Sequence, residues 1–294
     1  MFNVPVTFLF DYTTDINRNA RRMIFREFVE NGAPNLVLTD IAIKEILSNF
    51  NYSAELRKDA EECGITFVDA HAPFGRLLDL NCPDPAYRRQ MINRHKVSLN
   101  ICQEMGVDTI TIHVGNDWDE DMRSMPLQKH LDNISEALDA ILPEAERCGV
   151  TVCIENIWFR TNTPERLLEF KAKFPTDNLG FCYDAGHANL MYNGQFRQEA
   201  FARDSFAIYG EATPWDNRIL EKMLPHVVNC HLHDNDGATD QHRLPGCGCI
   251  DWKHIIPLLK QAPRLKSVQS EVIPSCDPNF SIRKVADIFR GLAE

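Results

Sequence analysis

A chain of 294 residues, 44% hydrophobic and 25% charged, is long enough to bury a large core. No apolar run reaches the roughly 18 residues of a membrane-spanning helix, which argues against a membrane protein. The net charge of −11 argues against a nucleic-acid partner, which calls for a basic face.

In chain order, short apolar and β-branched runs alternate with helical stretches. The predicted strands are PVTFLF (5–10), NLVLT (35–39), ITFVDAH (65–71), DTITIHV (108–114), TVCIEN (151–156), LGFCYDA (179–185), VVNCHLHD (227–234) and SVQSEVI (267–273). They read as continuously apolar, as strands covered on both faces are. Helices are expected over Asp84 to Met105, Leu127 to Cys148 and Pro164 to Lys173, and Gly64, Gly106 and Gly149 are placed to cap helices before the next strand. Arg88, Arg89, Arg94 and Lys96 read as a solvated helix face. The stretch from Asn189 to Pro225 reads as the helix after the sixth strand plus a long loop over the site. Eight strand–helix cycles predict an α/β fold, a single (β/α)8 TIM barrel spanning residues 1–294. An open doubly wound sheet would call for a Gly-rich phosphate loop, and neither GxGxxG nor GxxxxGK occurs.

The N-terminal segment, acidic by Asp11 and without basic residues ahead of it, reads as a first strand rather than a signal peptide, so the expected setting is the reducing cytoplasm. The ten cysteines include no CxxC pair. Cys102, Cys153, Cys182 and Cys230 sit in apolar stretches as core residues. Cys247 and Cys249 form a CxC in a Gly-rich loop and are not expected to be ligands.

Ionisable residues gather at the C-terminal ends of the predicted strands: His71, His113, Glu155, Asp184 with His187, then His231, His233 and Asp234 with Asp240 and His242 in the following loop, and finally Glu271. In a (β/α)8 barrel these ends meet at one mouth. A lone strand histidine is usually a hydrogen-bonded core residue. A glutamate inside VCIENI or SVQSEVI is different, because carboxylates are rarely buried unless paired or metal-bound. Burying so many ionisable groups together is costly, and a divalent cation offsets the cost.

The motifs IEN (154–156), YDAGHAN (183–189), HLHDNDG (231–237), LPGCGCIDW (244–252) and SEV (270–272) together resemble the xylose-isomerase-like barrel superfamily, across nearly the whole chain in strand order. That group includes sugar and sugar-phosphate isomerases and epimerases and the endonuclease IV family. Similarity to its ketose 3-epimerases implies one divalent ion (manganese, magnesium, cobalt or zinc) on Glu155, Asp184, His231 and Glu271, with Glu155 and Glu271 as the acid/base pair. Similarity to endonuclease IV implies further zinc ligands at His71, His113, His187, Asp240 and His242, although HAPFG after the third strand departs from that family's usual sequence.

The chemistry fits an α-hydroxy carbonyl substrate, whose enediolate a divalent cation stabilises while one carboxylate removes the proton and another returns it. A small carbohydrate is therefore the expected substrate. Trp118, Trp158, His233 and Arg243 are its candidate contacts, and a homodimer through the outer helices is the assembly such barrels often take. Zinc phosphodiesterase, inosose-like polyol dehydratase and non-catalytic sugar-binding barrel are the rival readings. The retained glutamates weigh against the last.

Overall fold

A computed structural model describes residues 2–116, 120–192, 201–276 and 280–294. The elements run β1 (Val6–Phe8), α1 (Arg18–Glu30), β2 (Asn35–Leu38), α2 (Asp40–Ser48), α3 (Asn51–Cys63), β3 (Thr66–His71), α4 (Pro85–Met105), β4 (Thr109–Ile112), α5 (Glu120–Ser124), α6 (Leu127–Cys148), β5 (Thr151–Glu155), α7 (Pro164–Lys173), β6 (Leu179–Asp184), α8 (Ala185–Leu190), α9 (Phe201–Ala207), α10 (Ile219–Met223), β7 (Val227–Leu232), α11 (Trp252–Leu259), β8 (Val268–Ser270) and α12 (Ile282–Ala293). The strands close into a barrel in sequence order. Every neighbouring pair is parallel, and β8 returns to β1 through Val6↔Val268 and Phe8↔Ser270. No described helix is long and apolar enough to cross a membrane.

Each strand forms where its sequence pattern predicts, and the long helices match the expected bounds. Asp84 caps α4 through its side chain, and Gly64, Gly106 and Gly149 end α3, α4 and α6 in the left-handed region that glycine adopts without penalty. Two expectations need correction. The stretch from Asn189 to Pro225 is more helical than one helix and a loop: α8 ends at Leu190, and α9 and α10 follow. Arg88 is buried rather than solvated, donating to the Cys82 carbonyl at 2.9 Å and to Glu136 at 3.0 Å, so its guanidinium ties the loop before α4 to α6.

The strands also differ from a continuously apolar reading. Residues facing outward are apolar and pack on the helices: Phe8 meets Phe28 of α1 and Phe289 of α12 at ring-centroid distances of 6.0 and 5.9 Å. The inward set is largely polar or small, with Thr7, Asp69, Thr111, Asn229 and Gln269 fully buried beside Cys153 and Cys182. Asp69 accepts from Thr7 Oγ1 at 3.0 Å and Ser267 Oγ at 2.9 Å, and burial pushes its carboxyl up to about 6. The polar residues within strands therefore mark the inner wall beneath the mouth.

Outside the barrel, Asp59 of α3 is fully buried between arginines of α1, with Arg18 at 2.8 Å and Arg21 at 2.7 Å. Burial alone would raise its carboxyl, but the two guanidinium groups hold it below its ordinary value of 3.8. Breaking a buried pair strands the surviving charge. Asp59→Ala should cost about 3 kcal/mol of unfolding free energy in denaturant titration. Because the folded carboxyl titrates below the unfolded one, the deficit should be full above about pH 4 and shrink as pH falls through the folded value.

Candidate metal centre

Four buried side chains from adjacent strand ends converge on one nitrogen. His231 Nδ1, on β7, lies 3.0 Å from Glu155 Oε1 (β5), 3.3 Å from Glu271 Oε1 (after β8) and 3.8 Å from Asp184 Oδ2 (β6). Bonds of about 2.1 Å at tetrahedral angles separate neighbouring donor atoms by roughly 3.4 Å, and the three distances from His231 Nδ1 bracket that value.

The other expected histidines and Asp240 surround that set. His187 Nε2 is 3.5 Å from Asp240 Oδ2, and His242 Nε2 is 2.9 Å from the same oxygen. His113 Nε2 is 3.2 Å from Glu155 Oε2, and the His71 ring lies 5.1 Å from that of His113. Donor atoms within 4.8 Å of one another include the triads His71–His113–Glu155, His71–His231–Glu271, Asp184–His187–His233 and His233–Asp240–His242. His233, expected against a substrate, is fully buried and stacks 3.9 Å from His242, with Nε2 3.3 Å from Asp184 Oδ2.

Three histidines have Nδ1 committed to a backbone carbonyl. His71 donates Nδ1–H to the Ala72 carbonyl at 2.9 Å, His187 to that of Asn156 at 3.0 Å, and His242 to that of Glu271 at 2.9 Å. In the neutral ring each bond leaves the Nε2 lone pair free. The His233 Nδ1 and Asp240 Oδ1 atoms are buried without hydrogen-bond partners among the described residues.

Charge in this closed space is strongly redistributed. Burial and then the neighbouring Asp184 and Glu155 carboxylates drive the Glu271 carboxyl well above the ordinary range. Burial would do the same to Glu155, but His231, His113 and His187 hold it well below. Burial lowers His187 on its own, yet Asp184 and Asp240 hold its imidazolium up to about 10. Burial followed by His113 and His231 lowers His71 to about 4. The carboxylates draw protons onto their neighbours as countercharge, which a divalent cation supplies instead. The donor chemistry and the Nδ1 bonds of the three histidines fit such an ion.

Local backbone explains why these side chains arrive together. Asn156, just past β5, donates to the Asp184 carbonyl at 3.0 Å and accepts from the Asp184 amide at 2.9 Å, locking the end of β6. Asp184 then caps α8 through the His187 amide at 2.6 Å. A Cβ on Gly186 would stand 1.9 Å from His233 Cε1, so only glycine lets that imidazole pack against α8. Asp234 points elsewhere: it accepts from the Gly246 amide at 2.8 Å, the Ile250 amide at 3.2 Å and the Trp252 indole at 3.0 Å. The LPGCGCIDW segment is thus a loop anchored on a buried aspartate. Cys247 in it is exposed, and Cys249 accepts from Asn189 at 3.3 Å.

Above the donors opens a cavity of about 560 Å³, with Glu155, Glu271, His187 and His242 on its floor and Phe74, Ile157, Trp158 and Phe159 as walls. Trp158 stands 5.0 Å from the His187 ring. Trp118 lies outside the described residues. Arg243 is not in the lining; its backbone pairs with Asp234 in both directions at 2.8 Å. Sequence reading missed Phe74, whose ring lies 4.6 Å from that of His113, and the lining acids Asp40 and Asp79. The HAPFG segment was a signal for the first; nothing in the sequence sets the two aspartates apart.

Comparison with known proteins bears on the family and the fold. An uncharacterized protein of Methanocaldococcus jannaschii, MJ1311, is 28% identical over 223 residues, 72% of this chain and 65% of that protein. A probable endonuclease 4 of Persephonella marina is 25% identical over 210 residues, 65% of this chain and 64% of its own length. The chain thus spans a little under two thirds of these relatives. Among solved structures, a D-tagatose 3-epimerase-like protein superposes with a TM-score of 0.72 at 20% identity, covering 97% of this chain and 96% of that one. An IOLI protein with a bound zinc atom gives 0.70 at 15%, covering 98% and 96%. At these identities the structural likeness establishes the fold alone. The family model for the xylose isomerase-like TIM barrel matches residues 28–284, and the chain belongs to that family.

Proposed function

We propose that this chain is a divalent-metal-dependent isomerase or epimerase of a small carbohydrate. The observation that carries the reading is the placement of Glu155 and Glu271: both reach the same imidazole nitrogen, both line the cavity floor, and they come from strands separated by β6 and β7. Two carboxyl groups so placed approach a bound substrate from different sides. Glu155, Asp184, His231 and Glu271 would hold the ion, which supplies polarisation of a substrate carbonyl and its neighbouring hydroxyl. One glutamate removes the proton from the carbon beside that carbonyl and the other returns it. Trp158, Phe74 and Phe159 offer apolar faces to the C–H groups of a sugar and keep water from the reacting carbon.

No lysine or arginine lines the cavity among the described residues; Asp79 adds a carboxylate to the wall, while Asp40 is paired with Lys44 at 2.7 Å beside the Phe74 ring. That lining favours an uncharged sugar over a phosphate ester. A second reading, a zinc phosphodiesterase, draws on the second donor group of His187, His233, Asp240 and His242 and on the similarity to a probable endonuclease 4. The lining, which holds no lysine or arginine among the described residues, counts against it.

The test is solvent-deuterium incorporation by NMR across a panel of free ketoses and their phosphates. Deuterium should enter at the carbon next to the carbonyl of a free sugar, and Glu155→Gln and Glu271→Gln should each slow it by roughly 10²–10⁴-fold. Phosphodiester cleavage with no sugar exchange would replace this reading with the second. Gly186→Ala bears on the metal count: pushing His233 aside should leave the ion on His231 bound and reduce the count only where the wild-type chain holds more than one. Elemental analysis of the variant beside its parent checks this.

A further inference from the structure

We propose that Thr111 is the positioning residue that fixes His231 for metal binding, and that Asn229 holds Thr111 in place. The proposal rests on the metal-centre reading above. His231 turns Nδ1 toward Glu155, Asp184 and Glu271, so with an ion on Nδ1 its hydrogen sits on Nε2. Thr111 Oγ1 lies 3.4 Å from that Nε2 and accepts from Asn229 Nδ2 at 3.0 Å. All three side chains are fully buried. Thr111 stands on β4, and His231 and Asn229 on β7; these strands are not neighbours, so the contacts run across the barrel interior directly under the donors.

This arrangement sets His231 apart from the other imidazoles. His71, His187 and His242 are oriented by backbone carbonyls, which no substitution of the partner removes. His231 depends on a side-chain hydroxyl. Exchanging that hydroxyl for a methyl would keep the shape and leave the Nε2–H buried with no acceptor, so the ring loses the bond that aims Nδ1 at the carboxylates. Asn229 acts one step further back. Its amide occupies one Thr111 lone pair, which turns the other toward His231.

The experiment uses the full-length chain, stripped of metal by chelation, with Mn²⁺ titrated by calorimetry and folding followed by denaturant titration. Thr111→Val should bind Mn²⁺ roughly 10–100-fold more weakly. Thr111→Ser, which keeps the hydroxyl and drops the methyl, should bind close to the wild-type level. Asn229→Leu should weaken binding in the same direction by a smaller factor. Wild-type affinity in Thr111→Val overturns the proposal, as does a serine variant that falls with the valine one, since that pattern reports packing. If Thr111→Val does not fold, Thr111→Ala against Thr111→Ser makes the same comparison. A wild-type chain that binds no divalent ion would instead overturn the metal-centre reading.

Discussion

Three buried carboxylates, Glu155, Asp184 and Glu271, and the partly buried Asp240 crowd together with the histidines at the barrel mouth, and the rest of the site is arranged around that charge. Isolated from water, carboxylates this close repel one another and lose their hydration, a penalty of several kcal/mol per group in real proteins. Protons on the imidazoles compensate in part, which is why Glu155 and Glu271 are pushed in opposite directions though they face the same nitrogen. A divalent cation compensates more completely, because a compact double charge meets several donors at once.

The barrel makes that concentration of charge mechanically tolerable. Parallel strands fix the direction of every side chain at the mouth, and the bonds between Asn156 and Asp184 lock two neighbouring strand ends together. Backbone carbonyls then set the tautomers of His71, His187 and His242. Beneath the donors, the polar inner wall of Thr111, Asn229 and Gln269 replaces the apolar packing that fills the outer layer between strands and helices. A site supported this way has its geometry set by the protein's own hydrogen bonds.

Much of this was legible in the sequence, and the reasons are physical. Strand–helix alternation and the capping glycines follow from local preferences, so the eight strands and the long helices matched. A parallel barrel sends all strand ends to one mouth, so a list of acids and histidines at those ends already named the side chains that gather there. What the sequence did not show depends on packing between segments far apart in the chain. Arg88 looked solvated because the carbonyl and glutamate that bury it lie on other segments. The polar inner wall was hidden because Thr7, Thr111 and Asn229 read as interruptions of apolar strands until the closed barrel gave them a shared interior. His233 was assigned to the substrate because depth along a strand end is invisible in one dimension. Asp234 stood in the same row as the donors, yet it faces the loop that follows it.

Whether this cluster holds a divalent ion is read from metal content per chain by elemental analysis, on protein purified without added metal or chelator. About one divalent ion per chain or more is expected, lost from both the Asp184→Ala and the His231→Ala variants while they remain folded. A folded wild-type chain with only trace metal, which takes up none of manganese, cobalt, magnesium or zinc when they are supplied, would contradict it.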